Sequence, residues 1–333
     1  MFFEKASREN ILNGFTDRDG FIFTSLTAPT NVHDAIVIHV PQTANCLSPK
    51  FPHSSKSLDE HLSLIQSQNL EKAIVICEGI EWLPECASLR FLWIIPALTA
   101  PSGFDFSPLY QMACVKWLRC QTIYGMREER HGDIDYALVP GLRCLYVMQT
   151  KHELNFNKTC GLQSLSLSNY KDADLSCAFC SEELDWISLS NCKIASLDGL
   201  SNAKNLKAIS LSHNRCLADI SALSSVKGTL FQLCIENCSR ITDFSALATL
   251  SKLEYLELQG NNTLPSLAFL RNMPNLKVLN LSMNVADGNL SLCMQIPYAT
   301  CKNRKHFNPK DADLPKQLPT VRDDHGIALW RRC

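Results

Sequence analysis

Long hydrophobic runs are missing from this chain. The longest, Phe91 to Ala97, is far short of the ~20 apolar residues a membrane helix needs. Excess charge of either sign is missing too: 32 Lys and Arg face 33 Asp and Glu, for a net charge of −1. That balance excludes a general attraction to nucleic acid or to an anionic membrane. Glycine-rich loops are absent, since Gly125 and Gly132 stand alone, so no phosphate cradle is expected. Cys177-Ala-Phe-Cys180 has no second C-x-x-C and no paired histidines at ligand spacing, so no metal or other cofactor is expected. Met1 to Phe15 carries Glu4, Lys5, Arg8 and Glu9 and has no unbroken apolar core, which argues against a signal peptide. The expected localisation is cytoplasmic, with export by a route that uses no classical leader as the alternative.

Cysteine, by contrast, is plentiful, with 16 in the chain. Many fall where apolar or turn residues recur, Cys120, Cys192 and Cys238 among them. A buried thiol packs as a small hydrophobe and needs no pairing. This pattern fits a reducing compartment better than a disulfide framework.

Between Leu162 and Asn284 one phrase occurs six times, at intervals of 22 to 24 residues. It runs apolar, two residues, apolar, one residue, apolar, two residues, then Asn or Cys. Leu184, Ile187, Leu189 and Cys192 make one copy, and Leu206, Ile209, Leu211 and Asn214 the next. Leu253, Leu256, Leu258 and Asn261 make another; the last ends at Asn284, and Tyr170 takes the Asn position in the first. A fixed period of this length marks a solenoid, in which each repeat buries its apolar side against its neighbours. A second motif follows each phrase with spacing of three: Leu217, Ile220 and Leu223, then Ile241, Phe244 and Leu247. That spacing suits a single 3₁₀ turn with every third residue inward.

The phrase resembles the leucine-rich repeat family. The short return, with Asp-Ile-Ser-Ala-Leu at 219–223 and Asp-Phe-Ser-Ala-Leu at 243–247, resembles the 22-residue repeats of internalins and of a phosphatase-regulator family. The resemblance implies a curved α/β solenoid: a right-handed superhelix with a parallel sheet on its concave face and 3₁₀ or irregular returns on the convex face. It also implies a buried ladder of side chains at the Asn or Cys position, here Cys192, Asn214, Cys238, Asn261 and Asn284. Proteins of this family are recognition scaffolds rather than enzymes.

Four regions are expected. Residues 1–69 form an N-terminal cap, with strands over Phe21–Leu26 and Ala35–Val40 and a helix opened by the capping box of Ser57 and Glu60. Degenerate repeats fill 70–160, with Ile74 and Ile76 read as a strand pair and Arg127 to Asp135 as an exposed insertion. Regular repeats fill 161–290, and 291–333 form a C-terminal cap and tail. About nine repeats, one more near Ile74, give a sheet roughly 40 Å long at ~4.8 Å per strand.

Strand alternation leaves a second row facing outward on the concave side. Its N-terminal third is aromatic and basic: Arg90, Trp93, Lys116, Trp117, Arg119, Arg143 and Tyr146. Its middle is small and polar apart from Trp186, and its C-terminal third brings Glu236, Tyr255 and Glu257. Trp, Tyr and Arg dominate interface energetics. These eleven residues are the candidate partner-binding set, with an acidic protein expected against the N-terminal third. Cross-strand packing of Trp93 and Trp117 is the competing account of the aromatics. No nucleic acid and no membrane are expected as partners, and the oligomeric state is left open. The repeat class suggests a bacterial immunity or regulatory protein, or an effector. The alternative is an enzyme with a site in residues 1–69, where His33, Asp34 and His39 lie, or on the concave face. Ser212, His213 and Asn214 resemble a catalytic grouping only in order, because adjacent strand residues face opposite ways. Lys302 to His306 is a short basic run suited to phosphate or an acidic protein, or simply solvated.

Overall fold

The computed structural model describes residues 22–26, 34–40, 57–97, 99–120 and 132–317. Most of the polar stretch 42–57, His33, residues Arg127 to His131 of the insertion and the tail beyond 317 lie outside them. The chain forms two compact units, Met1–Thr159 and Cys160–Arg331.

The second unit carries the regular repeats. Seven strands, Ser164–Ser168, Trp186–Ser190, Ala208–Ser212, Gln232–Glu236, Tyr255–Gln259, Val278–Leu281 and Tyr298–Cys301, pair in parallel in that order. The register is strict: Leu165, Ile187, Ile209, Leu233, Leu256, Leu279 and Ala299 form one row. Every member of that row is buried. Each fully buried Leu or Ile contributes ~1.5–3 kcal/mol relative to exposure, so a one-residue slip is strongly disfavoured. The last strand falls in the segment read as a C-terminal cap. Its free edge is covered by the chain around Lys316: Tyr298 and Lys316 form an antiparallel bridge, and Ala299 donates its N–H to Pro315. Covering an edge in this way removes a template for unwanted strand pairing.

The returns are short 3₁₀ turns, including Leu200–Asn202, Ser221–Val226, Ser245–Thr249, Ala268–Asn272 and Ser291–Gln295. Their residues at spacing three, Leu217, Ile220 and Leu223 for example, are buried as the period requires. The Asp of the return motif has a specific task. Asp219 and Asp243 each accept the N–H of the Ser two residues on, Ser221 and Ser245, at 2.8 Å. These bonds hold both carboxyls below the usual carboxylate value of 3.8. Asp105 likewise accepts the N–H of Ser107 in the first unit, which explains the shared Asp-Phe-Ser wording.

At the strand ends the chain turns through a left-handed residue. Asn169, Asn191, His213 and Asn237 take φ values of 53° to 60°. Asn tolerates this region better than other side chains. Just beyond lies the buried ladder. Asn214 accepts the N–H of Cys192 at 2.8 Å and donates to the carbonyl of Leu189 at 2.9 Å. Cys192 and Cys238 fill equivalent places, their thiols donating to the carbonyls of Leu167 and Leu211. Two expected ladder residues do not fill it. Asn261 is exposed, and Asn262 takes its place, donating to the carbonyls of Cys238 and Ile241. Gly260, at φ 130°, adds one residue to the turn. Asn284 is half-buried at the start of a two-residue strand, and Met283 fills the core beside it.

In the first unit, Ile22–Leu26, Asp34–Val40, Lys72–Cys77, Phe91–Pro96, Trp117–Cys120 and Cys144–Met148 also pair in parallel and in order. The two strands of the region read as a cap thus extend the repeat sheet. The helix Leu58–Gln68 is capped by Ser57 and Glu60 as the capping box requires. One strand differs in phase from its reading. Ala73 and Val75 pair with the core residues Leu92 and Ile94, so Ile74 and Ile76 take the outward row. That strand is buried on both faces, which hides the alternation. The end of the supposed insertion is likewise structural: Ile134 is buried, and Asp135 caps the turn Tyr136–Leu138.

Two predictions follow from the ladder and the returns. Asn214→Ala leaves a buried N–H and a buried carbonyl without partners, and should cost about 3 kcal/mol in urea unfolding. Asn284→Ala should cost less than about 0.5 kcal/mol. Asp219 and Asp243 have lowered folded values, so their contribution is complete above 3.8 and is lost as pH falls through those values. The double variant D219N/D243N should therefore show a shallower loss of thermal midpoint in acid than the parent.

Candidate functional site

In the first unit the register sets Trp93, Arg119 and Tyr146 side by side on three adjacent strands. The alternation turns all three away from the core, and all are half-buried. The Arg119 guanidinium lies over the Trp93 ring at 4.2 Å and over the Tyr146 ring at 4.1 Å. A guanidinium stacked on aromatic faces gains ~0.5–2 kcal/mol per contact. Burial pulls the Arg119 value downward. Its Nε is buried without an acceptor among the described residues. Trp93 therefore pairs with Arg119 across the strands, and Trp117 sits instead in register with Phe91 and Cys144.

The other cations of this face differ in their engagement. Arg90 donates from Nε to Glu71 at 2.9 Å on the exposed rim. Lys116 is half-buried and Arg143 exposed. Lys72 extends the pattern: its ammonium lies 5.6 Å from the centre of the Phe91 ring. Lys72 was not among the candidate residues; it shares the parity of Ile74 and Ile76, which were read as the strand pair. Cations and aromatic rings are thus interleaved along this face.

The second unit presents a different outward row. Trp186 is half-buried, with Ser164 and Ala208 as its register neighbours. Tyr255 and Glu257, read as exposed, are instead closed off, at 2 % and 6 % exposure. Tyr255 packs with Cys234, Val278 and Tyr298. Tyr298 belongs to the additional strand, which is why the burial was not foreseen. The Tyr255 hydroxyl donates to Glu257 Oε2 at 2.5 Å, and Gln259 donates to Oε1. Asn280 donates to the Tyr255 oxygen, and Thr300 donates to Asn280. Burial pushes the Glu257 carboxyl upward from 4.5.

Glu236 is half-buried and belongs to a second polar group. Ser212 Oγ lies 2.7 Å from His213 Nδ1 and donates to Glu236 Oε2 at 3.1 Å. The alternation argument had separated Ser212 from His213. The left-handed φ of His213 brings them together, because it takes the residue off the strand. Asn237 Nδ2 donates to His213 Nε2 at 3.2 Å. The order of bonds matters for chemistry. The imidazole gives its Nδ1 proton to the serine oxygen, and the serine gives its own to the carboxylate. A nucleophilic serine needs its proton taken by the imidazole, with the carboxylate behind the ring. This arrangement runs the opposite way.

A groove of about 780 Å³ follows the strand starts of this unit. Its lining mixes Asp185, Glu183 and Glu254 with Lys207 and Lys252, so it favours no charge sign. Among the described residues no group of three or more His, Cys, Asp or Glu is placed to hold a metal ion, and no helix is long and apolar enough to cross a membrane. The basic run at 302–306 is used internally: Arg304 donates to the Ser282 carbonyl, and His306 Nε2 meets the Val285 carbonyl at 3.0 Å.

The buried carboxylate yields a pH prediction. A raised folded value means the charged form is penalised on folding. Stability linked to Glu257 is therefore highest below 4.5 and declines as pH rises from there through the folded value. Glu257→Gln should remove that decline, seen as a smaller drop in urea midpoint between about pH 4 and 8 than in the parent.

A family model described as leucine rich repeats (2 copies) matches residues 182–225. No curated protein sequence matches the chain. Among solved structures, the chain is similar to an internalin (inlF) from Listeria monocytogenes, at 18% identity and a TM-score of 0.49, over 71% of this chain and 69% of that one. It is similar to the mouse RP105/MD-1 complex at 15% identity and a TM-score of 0.49, over 90% of this chain and 53% of that one. The functional domain of InlJ from Listeria monocytogenes, which includes a cysteine ladder, gives 14% identity and a TM-score of 0.43, over 70% and 62% of the two chains. The matched segment contains the strands Trp186–Ser190 and Ala208–Ser212, which pair residue for residue, and over this segment the chain is similar to leucine-rich repeats.

Proposed function

We propose that this protein is a non-catalytic scaffold that binds an acidic protein partner on the outward strand face of its first unit. The observation that carries the reading is the Trp93–Arg119–Tyr146 stack. It holds a cation rigidly between two rings on a face flanked by Lys116, Trp117 and Arg143. A preorganised guanidinium loses little entropy on meeting a carboxylate, and its planar fork suits bidentate pairing. Trp186, in the other unit, is a separate candidate contact. Tyr255 and Glu257 are left out of the surface because they are buried.

A protein partner fits better than a nucleic acid, because the charge of the chain is balanced and the cationic patch is local. We favour a cytoplasmic setting. The Cys192 and Cys238 ladder bonds need S–H donors, and 13 of the 14 cysteines among the described residues are thiols, Cys234 being disulfide-bonded. Within it, an immunity or regulatory protein that masks another protein fits a rigid binding face; an effector exported without a classical leader is the second setting.

The test compares partner capture by the parent chain with capture by Arg119→Ala and Trp117→Ala, followed by titration of the captured protein. Loss of a central Arg or Trp contact worth at least 2 kcal/mol weakens binding about 30-fold. Binding should also weaken with salt, as expected for an acidic surface. Unchanged affinity in both variants, with folding intact by circular dichroism, would overturn the assignment.

A further inference from the structure

We propose that Cys160 and Cys180 form a peroxide-responsive thiol pair, a site of reversible oxidative modification on the return side of the second unit. Their sulfurs lie 3.4 Å apart, and both residues are exposed. A disulfide needs ~2.05 Å, so the sulfurs must close by roughly 1.4 Å, within the reach of side-chain rotation.

The approach is fixed by the surrounding backbone. Cys160 precedes Gly161, whose φ of +83° turns the chain toward the strand Ser164–Ser168. Cys180 precedes Ser181, whose buried hydroxyl donates to the Leu162 carbonyl at 2.6 Å. That bond pins the two segments together one residue from one cysteine and two from the other. The pair is thus set by the packing of consecutive repeats.

Cys192 and Cys238 are arranged differently: both are buried, donate to carbonyls, and are pushed up to about 11 by burial. Cys177 is exposed at C-x-x-C spacing from Cys180 and is the natural competitor. Burial, then the bond from Cys160, also pushes Cys180 up to about 11, which assigns it the resolving role. The Cys160 thiolate attacks hydrogen peroxide; the O–O bond breaks, one oxygen stays on sulfur as a sulfenic acid, and the other leaves as water after taking a proton. Cys180 sulfur then attacks the Cys160 sulfur. The S–O bond breaks, and the departing hydroxide takes the Cys180 proton as water. Two thiols and one peroxide give one disulfide and two waters. The product closes a ring across a sequence separation of 20 residues.

The experiment treats the full chain with a small excess of hydrogen peroxide, blocks remaining thiols with N-ethylmaleimide, and maps peptides without reduction. One linked pair joining Cys160 and Cys180 is expected, with two thiols lost from the titratable count and restored by dithiothreitol. Cys177→Ser should keep the link, while Cys160→Ser and Cys180→Ser should each abolish it. A Cys177–Cys180 or Cys160–Cys177 link as the main product would overturn the proposal. So would over-oxidation of Cys160 without any link, or thiol loss confined to protein whose circular dichroism shows unfolding.

Discussion

In the repeats from Cys192 to Asn262 the turn that follows each strand leaves buried backbone groups that water cannot reach. The structure depends on how they are paired. Asn214 pairs two of them at once, reaching Cys192 on the preceding repeat and the Leu189 carbonyl beyond. Cys192 and Cys238 manage with a single weak donor each. An unsatisfied buried group costs ~1–3 kcal/mol, comparable to burying a leucine. The ladder is therefore as restrictive as the apolar rows, and it sets the period of the repeat as firmly.

With the inward row and the ladder committed, only the outward row is free to differ between repeats. The two units use that freedom differently. In the first, large aromatic and cationic side chains stack on one another in register, Trp93 on Arg119 on Tyr146. In the second, Tyr255, Val278 and Tyr298 form a small apolar cluster with Cys234, and Glu257 is tied down beside it. The first arrangement holds a charge on the half-buried outward face. The second withdraws a charge from the surface. The same strand positions thus yield a stacked aromatic-cationic face in one unit and a self-satisfied face in the other.

What could be read in the amino-acid order follows from which interactions are local. Leu184, Ile187 and Leu189 announce their burial by spacing alone, and the Ser57–Glu60 capping box needs only three residues to be recognised. Failures occurred where a distant residue decides. Tyr255 is covered by Tyr298, which the fading pattern after Asn284 did not mark as part of a strand. Ile74 and Ile76 gave no phase because both faces of their strand are buried. Asn261 yielded its ladder place to Asn262 because Gly260 lengthens the turn by one residue, a change no periodic template anticipates. His213 met Ser212 because a left-handed residue escapes strand alternation. Of the candidate contact residues, those on the first unit were placed by register alone, and register is what the repeat encodes best.

The proposed role of the Arg119 stack, with a protein favoured over a polyphosphate as partner, rests on how few cations surround it. Tracking a nucleic-acid backbone calls for many cations spread along a groove, each neutralising one phosphate. Here Arg90 already answers Glu71, and Lys72 lies buried over Phe91. Lys116 and Arg143 are the further cations near that clamped guanidinium. Such a geometry rewards one well-placed carboxylate far more than an extended line of charge. A folded acidic surface can present such a carboxylate at fixed orientation, and the rings beside it, Trp117 among them, then bury apolar area around the contact. Removal of water from that rim is what makes a single charge pair strong enough to specify a partner.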